Sequence, residues 1–181
     1  MKKIIIFIFF LVSYSDVYAN TKVITALEEG GKVIFIRHAY APGGGDPDNF
    51  DIRDCTTQRN LDTNGIKQAA RIGKFFSDNK ISIDLVFSSE WCRCKDTAKI
   101  AFEDYRIFNA LNSFFSNKFS KNKHKQIKGL KAFIKKWDSK KNIVFVTHYV
   151  VISEALGVNV KSGMIVVADK KFKIIGTIET N

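Results

Sequence analysis

The chain has little of several things, and each shortage excludes something. It has 2 prolines and 11 glycines in 181 residues, which rules out collagen-like, mucin-like and flexible-linker chains. It has 3 histidines, and its 3 cysteines leave one thiol over when two pair. Acids are scarce beside bases, 18 against 29, for a net charge of +11. That balance favours anionic partners such as phosphate esters, acidic polymers or anionic surfaces, and it says nothing of fold. No repeat of fixed period occurs, which excludes solenoids and propellers. Against these shortages stand 45% apolar residues, enough to build a core and to exclude global disorder. The length is that of one domain with a short appendage.

The appendage is at the N-terminus. Lys2 and Lys3 precede the unbroken apolar run Ile4 to Val12, and Val17 and Ala19 fit a small-residue cleavage pattern. Residues 1–19 are expected to be a secretory signal peptide, cut after Ala19. The run is short for a membrane span, which needs about 20 apolar residues. The expected mature chain is therefore a single domain over 20–181, without a membrane span, in the periplasm or secreted. Export meets an oxidising compartment, where disulfides persist. On a helix over 89–103, Cys92 and Cys94 would diverge by about 200° and could not pair with each other. Cys55 is thus expected to pair with Cys92 or Cys94. Zinc is disfavoured, because CxC with one distant cysteine is not a ligand spacing in use.

The rest reads as alternating elements. Lys32–Arg37 (KVIFIR), Asp84–Ser88 (DLVFS) and Asn142–Thr147 (NIVFVT) are short apolar runs that suit buried strands. Residues 40–58 hold both prolines and three consecutive glycines and read as a long loop. Helices are expected near 63–79, from a Ser89 cap to Phe102, and over Val150–Leu156, with Gly157 as a stop. Residues 118–141 carry ten lysines against the single acid Asp138. Ile127, Leu130, Ile134 and Trp137 nevertheless fall on one helical face, so a packed helix with a solvated basic face is favoured over a polymer-binding surface. Met164–Ala168 and Phe172–Ile178 read as a terminal hairpin. The pattern implies an α/β fold with helices layered on the sheet, its site at the carboxyl ends of the strands.

Those ends carry the chemistry. The first strand runs into Arg37 and His38, the second into Arg93 one turn along a helix, the third into His148. Two arginines offer planar forks for an oxyanion. Helix N-termini would aim at the same place. A neutral imidazole there can attack phosphorus, and a second imidazole, if protonated, can donate to the equatorial oxygens. Such positioning and charge stabilisation are most of what phosphoryl transfer needs.

The motifs RHA at 37–39, SSxxxRxxxTA at 88–98 and THxxVI at 147–152, with RNLDTNGIKQA at 59–69, resemble the histidine phosphatase superfamily, also called the phosphoglycerate mutase-like fold. The likeness spans about 33–156. It implies a three-layer sandwich with a mostly parallel central sheet. It implies His38 as a nucleophile that is phosphorylated and then hydrolysed. Arg37, Arg93 and His148 would hold the phosphoryl group, with Arg59 a further substrate contact. It implies no metal and no cofactor. Many members supply a Glu as proton donor in an L-N-E-x-x-F segment; here Ser113 stands in its place (Leu111-Asn112-Ser113-Phe114-Phe115). Glu90, Glu103 and Asp104 are possible substitutes, as are the loop acids Asp46, Asp48, Asp51 and Asp54, although a solvated surface charge is the favoured reading of each. Two branches of the family come forward: small bacterial phosphohistidine phosphatases, and an exported phosphatase acting on heptose phosphate of the lipopolysaccharide core. Export and the basic surface suit the second. The expected partner is a phosphorylated small molecule or an anionic glycolipid or polymer, with no specific nucleic acid.

Rival classes fit less well. A mutase of this fold needs a larger, acid-bearing, cytosolic chain. No cysteine has an arginine six positions later, which removes the cysteine phosphatases, and no Gly-Lys-Ser/Thr follows the glycines, which removes a P-loop. A non-catalytic or weakly active phosphate-binding module of the same fold is the alternative, and His38→Ala separates it from an enzyme.

Overall fold

The computed structural model describes residues 14–138 and 140–180; most of the expected signal peptide lies outside them. The strands are β1 Val33–Arg37, β2 Ile83–Ser88, β3 Arg106–Ile107, β4 Asn142–Thr147, β5 Ile165–Ala168 and β6 Ile174–Ile178. The helices are α1 Tyr14–Glu29, α2 Thr63–Asp78, α3 Cys92–Phe102, α4 Asn117–Ser120, α5 Lys123–Lys136 and α6 Tyr149–Leu156. One sheet holds all six strands in the order β3-β2-β4-β1-β5-β6. The first three pairings are parallel and the last two antiparallel. This is the expected α/β fold with a mostly parallel sheet.

Side-chain alternation builds the layers. Val33 and Phe35 of β1, with Ile143 and Phe145 of β4, face a core closed by α5 and α6. Ile34, Ile36, Val144 and Val146 face the opposite core, closed by α1, α2 and α3. A strand buried on both faces reads as a continuous apolar run, which is why β1 and β4 stand out in the sequence. Ile127, Leu130, Ile134 and Trp137 are buried and the lysines between them face solvent, so the basic segment packs as a helix.

At the sheet's amino end the buried Asn142 ties three segments together. Its Nδ2 donates to Leu27 O (2.7 Å) and Ser82 O (2.9 Å), and its Oδ1 accepts from Lys32 N (3.1 Å). The helix α1 has no counterpart in the sequence reading. It carries Val23, Ala26 and Leu27 into the core. A Cβ on Gly176 of β6 would stand 2.3 Å from Val23 Cγ2, so α1 and β6 approach as closely as glycine allows. Among the described residues no helix is long and apolar enough to cross a membrane. A second difference concerns Ser89. The helix α3 begins at Cys92 with Trp91 as its N-cap residue, not at Ser89.

The parallel register sets the site. Arg37 pairs with Thr147 and Ser88 with Val146, so the three strands end level. His38 N donates to Thr147 O (2.9 Å) and Ser89 N to Val146 O (3.1 Å), which carries the alignment one residue past the strands.

Candidate active site

At this edge His38, Arg37, Arg93 and His148 come together as expected, lining one cleft of about 440 Å³ with Arg59. His38, Arg93 and His148 are buried, and the two imidazoles meet edge-on with ring centroids 5.5 Å apart. Arg93 Nε donates to His38 Nε2 at 3.3 Å. A guanidinium nitrogen can only donate, so Nε2 presents its lone pair. The ring proton is then on Nδ1, which donates to Ala39 O at 2.8 Å. Ala39 N donates to Thr97 Oγ1 (2.9 Å), and that hydroxyl donates to Arg93 O (2.7 Å). The TA of the second motif thus locks the β1 tip to α3, and the imidazole is held in one tautomer.

Burial first, then the charges of Arg93, Arg37 and Arg59, push His38 well below the ordinary histidine value despite its bond to Ala39 O. His148 is displaced the same way, by burial and then by Arg93 and its other neighbours. Burial and the surrounding guanidinium charges therefore favour the neutral form of both rings in the free site. The Nε2 of His148 lies 3.0 Å from Ser89 Oγ and 3.4 Å from Cys94 Sγ. Ser89 is therefore a site residue. Its hydroxyl also donates to Asn112 Oδ1 (3.1 Å).

Arg37 donates from Nη1 to Val160 O (2.8 Å) and lies 5.5 Å from the Tyr149 ring centroid. Its Nε is buried without a partner. Arg59 has two functions at once. It lines the cleft, and it straps the glycine loop by donating to Gly45 O (2.9 Å) and to Ala41 O. The helix N-termini contribute less uniformly than expected. Cys92 N at the start of α3 is already taken by Gln58 Oε1 (2.9 Å), while α6 begins directly after His148.

Of the acids that could substitute for the missing Glu, Asp46 is not the solvated surface charge that was favoured for it: it is bonded inside the cleft. Its Oδ1 accepts from Arg93 Nη1 (2.6 Å) and Arg59 N (3.1 Å); its Oδ2 accepts from Trp91 Nε1 (2.9 Å) and Arg93 Nη2 (3.2 Å). Burial pushes this carboxyl up. The Arg93 hydrogen bond and charge, with Trp91 and Arg59, outweigh burial and hold it below the ordinary carboxylate range. Three guanidinium groups line the cleft with two carboxylates, Asp46 and the exposed Asp48, an excess of positive charge that a phosphomonoester dianion would offset.

A disulfide fixes the loop that carries Asp46. Cys55 pairs with Cys92, Cα to Cα 5.7 Å, which decides between the two partners left open. Cys94 is free and buried, and burial pushes its thiol up to about 12. Gln68 holds the start of the same loop, accepting from Tyr40 N (2.9 Å) and donating to Ser162 O (2.9 Å). Among the described residues no group of three or more His, Cys, Asp or Glu side chains is arranged to hold a metal ion.

The family model for the histidine phosphatase superfamily (branch 1) matches residues 33–141. The chain belongs to that superfamily. It is a phosphatase of the histidine phosphatase type, with the fold of that family. Its solved relatives in structure include a candidate phosphohistidine phosphatase SixA from Agrobacterium tumefaciens, 19% identical, with a TM-score of 0.57 over 82% of this chain and 98% of that one. A candidate alpha-ribazole-5'-P phosphatase from Escherichia coli K-12 is 18% identical, with a TM-score of 0.58 over 80% and 94%. The protein histidine phosphatase SixA complexed with tungstate is 14% identical, with a TM-score of 0.52 over 79% and 92%. At these identities the likeness is one of fold. No protein of curated function matches the chain.

Proposed function

We propose that this superfamily member is an exported phosphomonoester phosphatase that works without a metal ion, through a phosphohistidine on His38. The observation that carries the reading is the orientation of His38: a lone pair on Nε2, fixed by the Nδ1–Ala39 bond, facing the guanidinium of Arg93. The sequence of events is as follows. The phosphate dianion enters among Arg37, Arg59 and Arg93. The buried Nε of Arg37 gains an acceptor, and the Nε of Arg93 turns from His38 to a phosphate oxygen. The freed lone pair attacks phosphorus, and water then hydrolyses the N–P bond. The arriving dianion raises the basicity of His148, and the ring, once protonated, donates an N–H to an equatorial oxygen.

Export is supported by the N-terminal segment and by the Cys55–Cys92 bridge, since disulfides persist in oxidising compartments. For the substrate we favour a phosphate on a sugar or an anionic glycan. Tyr149, Phe115, Phe50 and Phe119 line the cleft and offer ring faces, and Lys118 adds positive charge.

The test is phosphate release in EDTA by the exported, oxidised protein from para-nitrophenyl phosphate, with His38→Ala as control. Release that disappears in the variant supports the reading. A folded wild-type protein that binds phosphate and releases none would overturn it and favour a binding module. Activity that needs an added divalent ion would contradict the metal-independent reading.

A further inference from the structure

Resting on that function, we propose that Asp46 is the proton donor to the leaving group and then the base for water, in the place that Ser113 cannot fill.

The chemistry needs such a group. An alkoxide is a poor leaving group and gains much from a positioned acid, whereas an acidic phenol gains little. Ser113 lines the cleft, but its hydroxyl is a poor acid at neutral pH and accepts from Phe115 N (3.3 Å). The other acids are placed elsewhere. Glu90 is bound to Asn112 Nδ2 (2.5 Å), Asp51 to Arg53, and Asp54 caps the turn at Cys55–Thr57. Two carboxylates line the cleft, Asp46 and Asp48, and Asp48 is exposed. Asp46 alone shares a guanidinium with the nucleophile: Arg93 gives its Nε to His38 and its Nη atoms to Asp46. A phosphoryl group seated on Arg93 therefore meets the Asp46 carboxyl at its own oxygens. Gly43 and Gly45 have φ of +86° and +74°, a backbone that few other residues adopt, and this tight turn places Asp46 over Arg93.

Substrate binding also supplies the proton. In the free site Arg93 holds Asp46 ionised. A dianion that takes over Arg93 removes those bonds and adds negative charge beside the carboxyl, both of which favour its protonated form. The proton enters from water or with the substrate monoanion. As the His38 Nε2–P bond forms, the P–O bond to the leaving group breaks and its electron pair stays on that oxygen, which takes the Asp46 proton. In the second step water oxygen bonds to phosphorus, the N–P pair returns to His38, and the water proton goes to the Asp46 carboxylate. The net reaction is ester plus water to alcohol plus phosphate, with Asp46 restored.

The experiment compares kcat/KM on para-nitrophenyl phosphate and on glycerol phosphate for the oxidised wild-type protein, Asp46→Asn and Asp46→Glu. The wild type should show a shallow dependence on leaving-group acidity. Asp46→Asn should lose about 10²–10⁴-fold on the alkyl ester and far less on the aryl ester, the range typical of general acid catalysis. Asp46→Glu should recover part of the alkyl activity. A uniform loss on both esters would overturn the proposal and make Asp46 a clamp for Arg93. A uniform gain with tighter phosphate binding would overturn it too and make Asp46 a plug. Should Asp46→Asn fail to fold, a steep leaving-group dependence in the wild type alone contradicts the proposal. An inactive wild type would instead defeat the phosphatase reading itself, so the two failures are separable.

Discussion

Breaking the Cys55–Cys92 bridge should destabilise the protein far more than its folded contacts suggest. The bridge spans 37 residues of sequence. Closing a loop of that length in the unfolded chain corresponds to about 4 kcal/mol by the chain-entropy relation, and native bridges typically contribute about 2–5 kcal/mol. The folded state should lose little on reduction, because Gln58 still accepts from Cys92 N and donates to Asp51 O and Ile52 O, keeping the loop docked. The effect therefore acts mainly through the unfolded ensemble. For a domain of this size about 4 kcal/mol lowers Tm by roughly 8–15 °C. The assay is urea unfolding of the oxidised protein with and without dithiothreitol, beside Cys55→Ser/Cys92→Ala. A thiol count in denaturant should give one thiol per chain before reduction and three after. Cys94, buried with its thiol pushed up to about 12, is a poor exchange partner at neutral pH, so the bridge should not scramble. Equal stability of the oxidised and reduced forms, or three thiols in protein made in an oxidising compartment, would refute the reasoning.

Two further predictions concern the site. His38 and His148 have folded values pushed well below the ordinary histidine range, so the unfolded chain binds more protons below about pH 6.5. Stability should be full above that pH and fall as the pH drops, by at most about 1.4 kcal/mol per pH unit for each ring. The acid limb of kcat/KM should lie below pH 6.5, since His38 stays neutral there. Urea midpoints and pH–rate profiles check both, and an acid limb at or above pH 6.5 would contradict a buried neutral nucleophile. Gly65→Ala should destabilise by about 1–3 kcal/mol, because its Cβ would stand 1.9 Å from Tyr40 O and push the loop that follows β1 away from α2. Thermal unfolding checks it, and an unchanged Tm would show that the loop yields freely.

Much of this was legible in the sequence, for physical reasons that differ by element. Buried strands such as β1 and β4 read as apolar runs because both faces are covered, and their polar ends stood out against them. Level strand ends follow from parallel register, so His38, Arg93 and His148 could be placed together. The helix α1 was hidden because its sequence follows closely on the apolar run Ile4 to Val12, and its described part buries Val23, Ala26 and Leu27 with no sharp polar boundary. Ser89 looked like a cap because serine suits that place, but Trp91 occupies it and the hydroxyl serves His148 instead. Asp46 stood among the candidate acids but could not be singled out, for a different reason. Its role depends on a glycine turn folding back onto Arg93 and Trp91 across 45 and more residues, and no local pattern encodes that.

The central claim is that His38 carries the phosphoryl group, and it is tested most directly by trapping the intermediate. The oxidised protein, turning over para-nitrophenyl phosphate in EDTA, would be quenched in alkali and its peptides analysed by mass spectrometry. The account predicts an acid-labile, alkali-stable phosphate on His38, absent from His38→Ala. Turnover that persists in His38→Ala, or phosphate trapped on another residue, would contradict it.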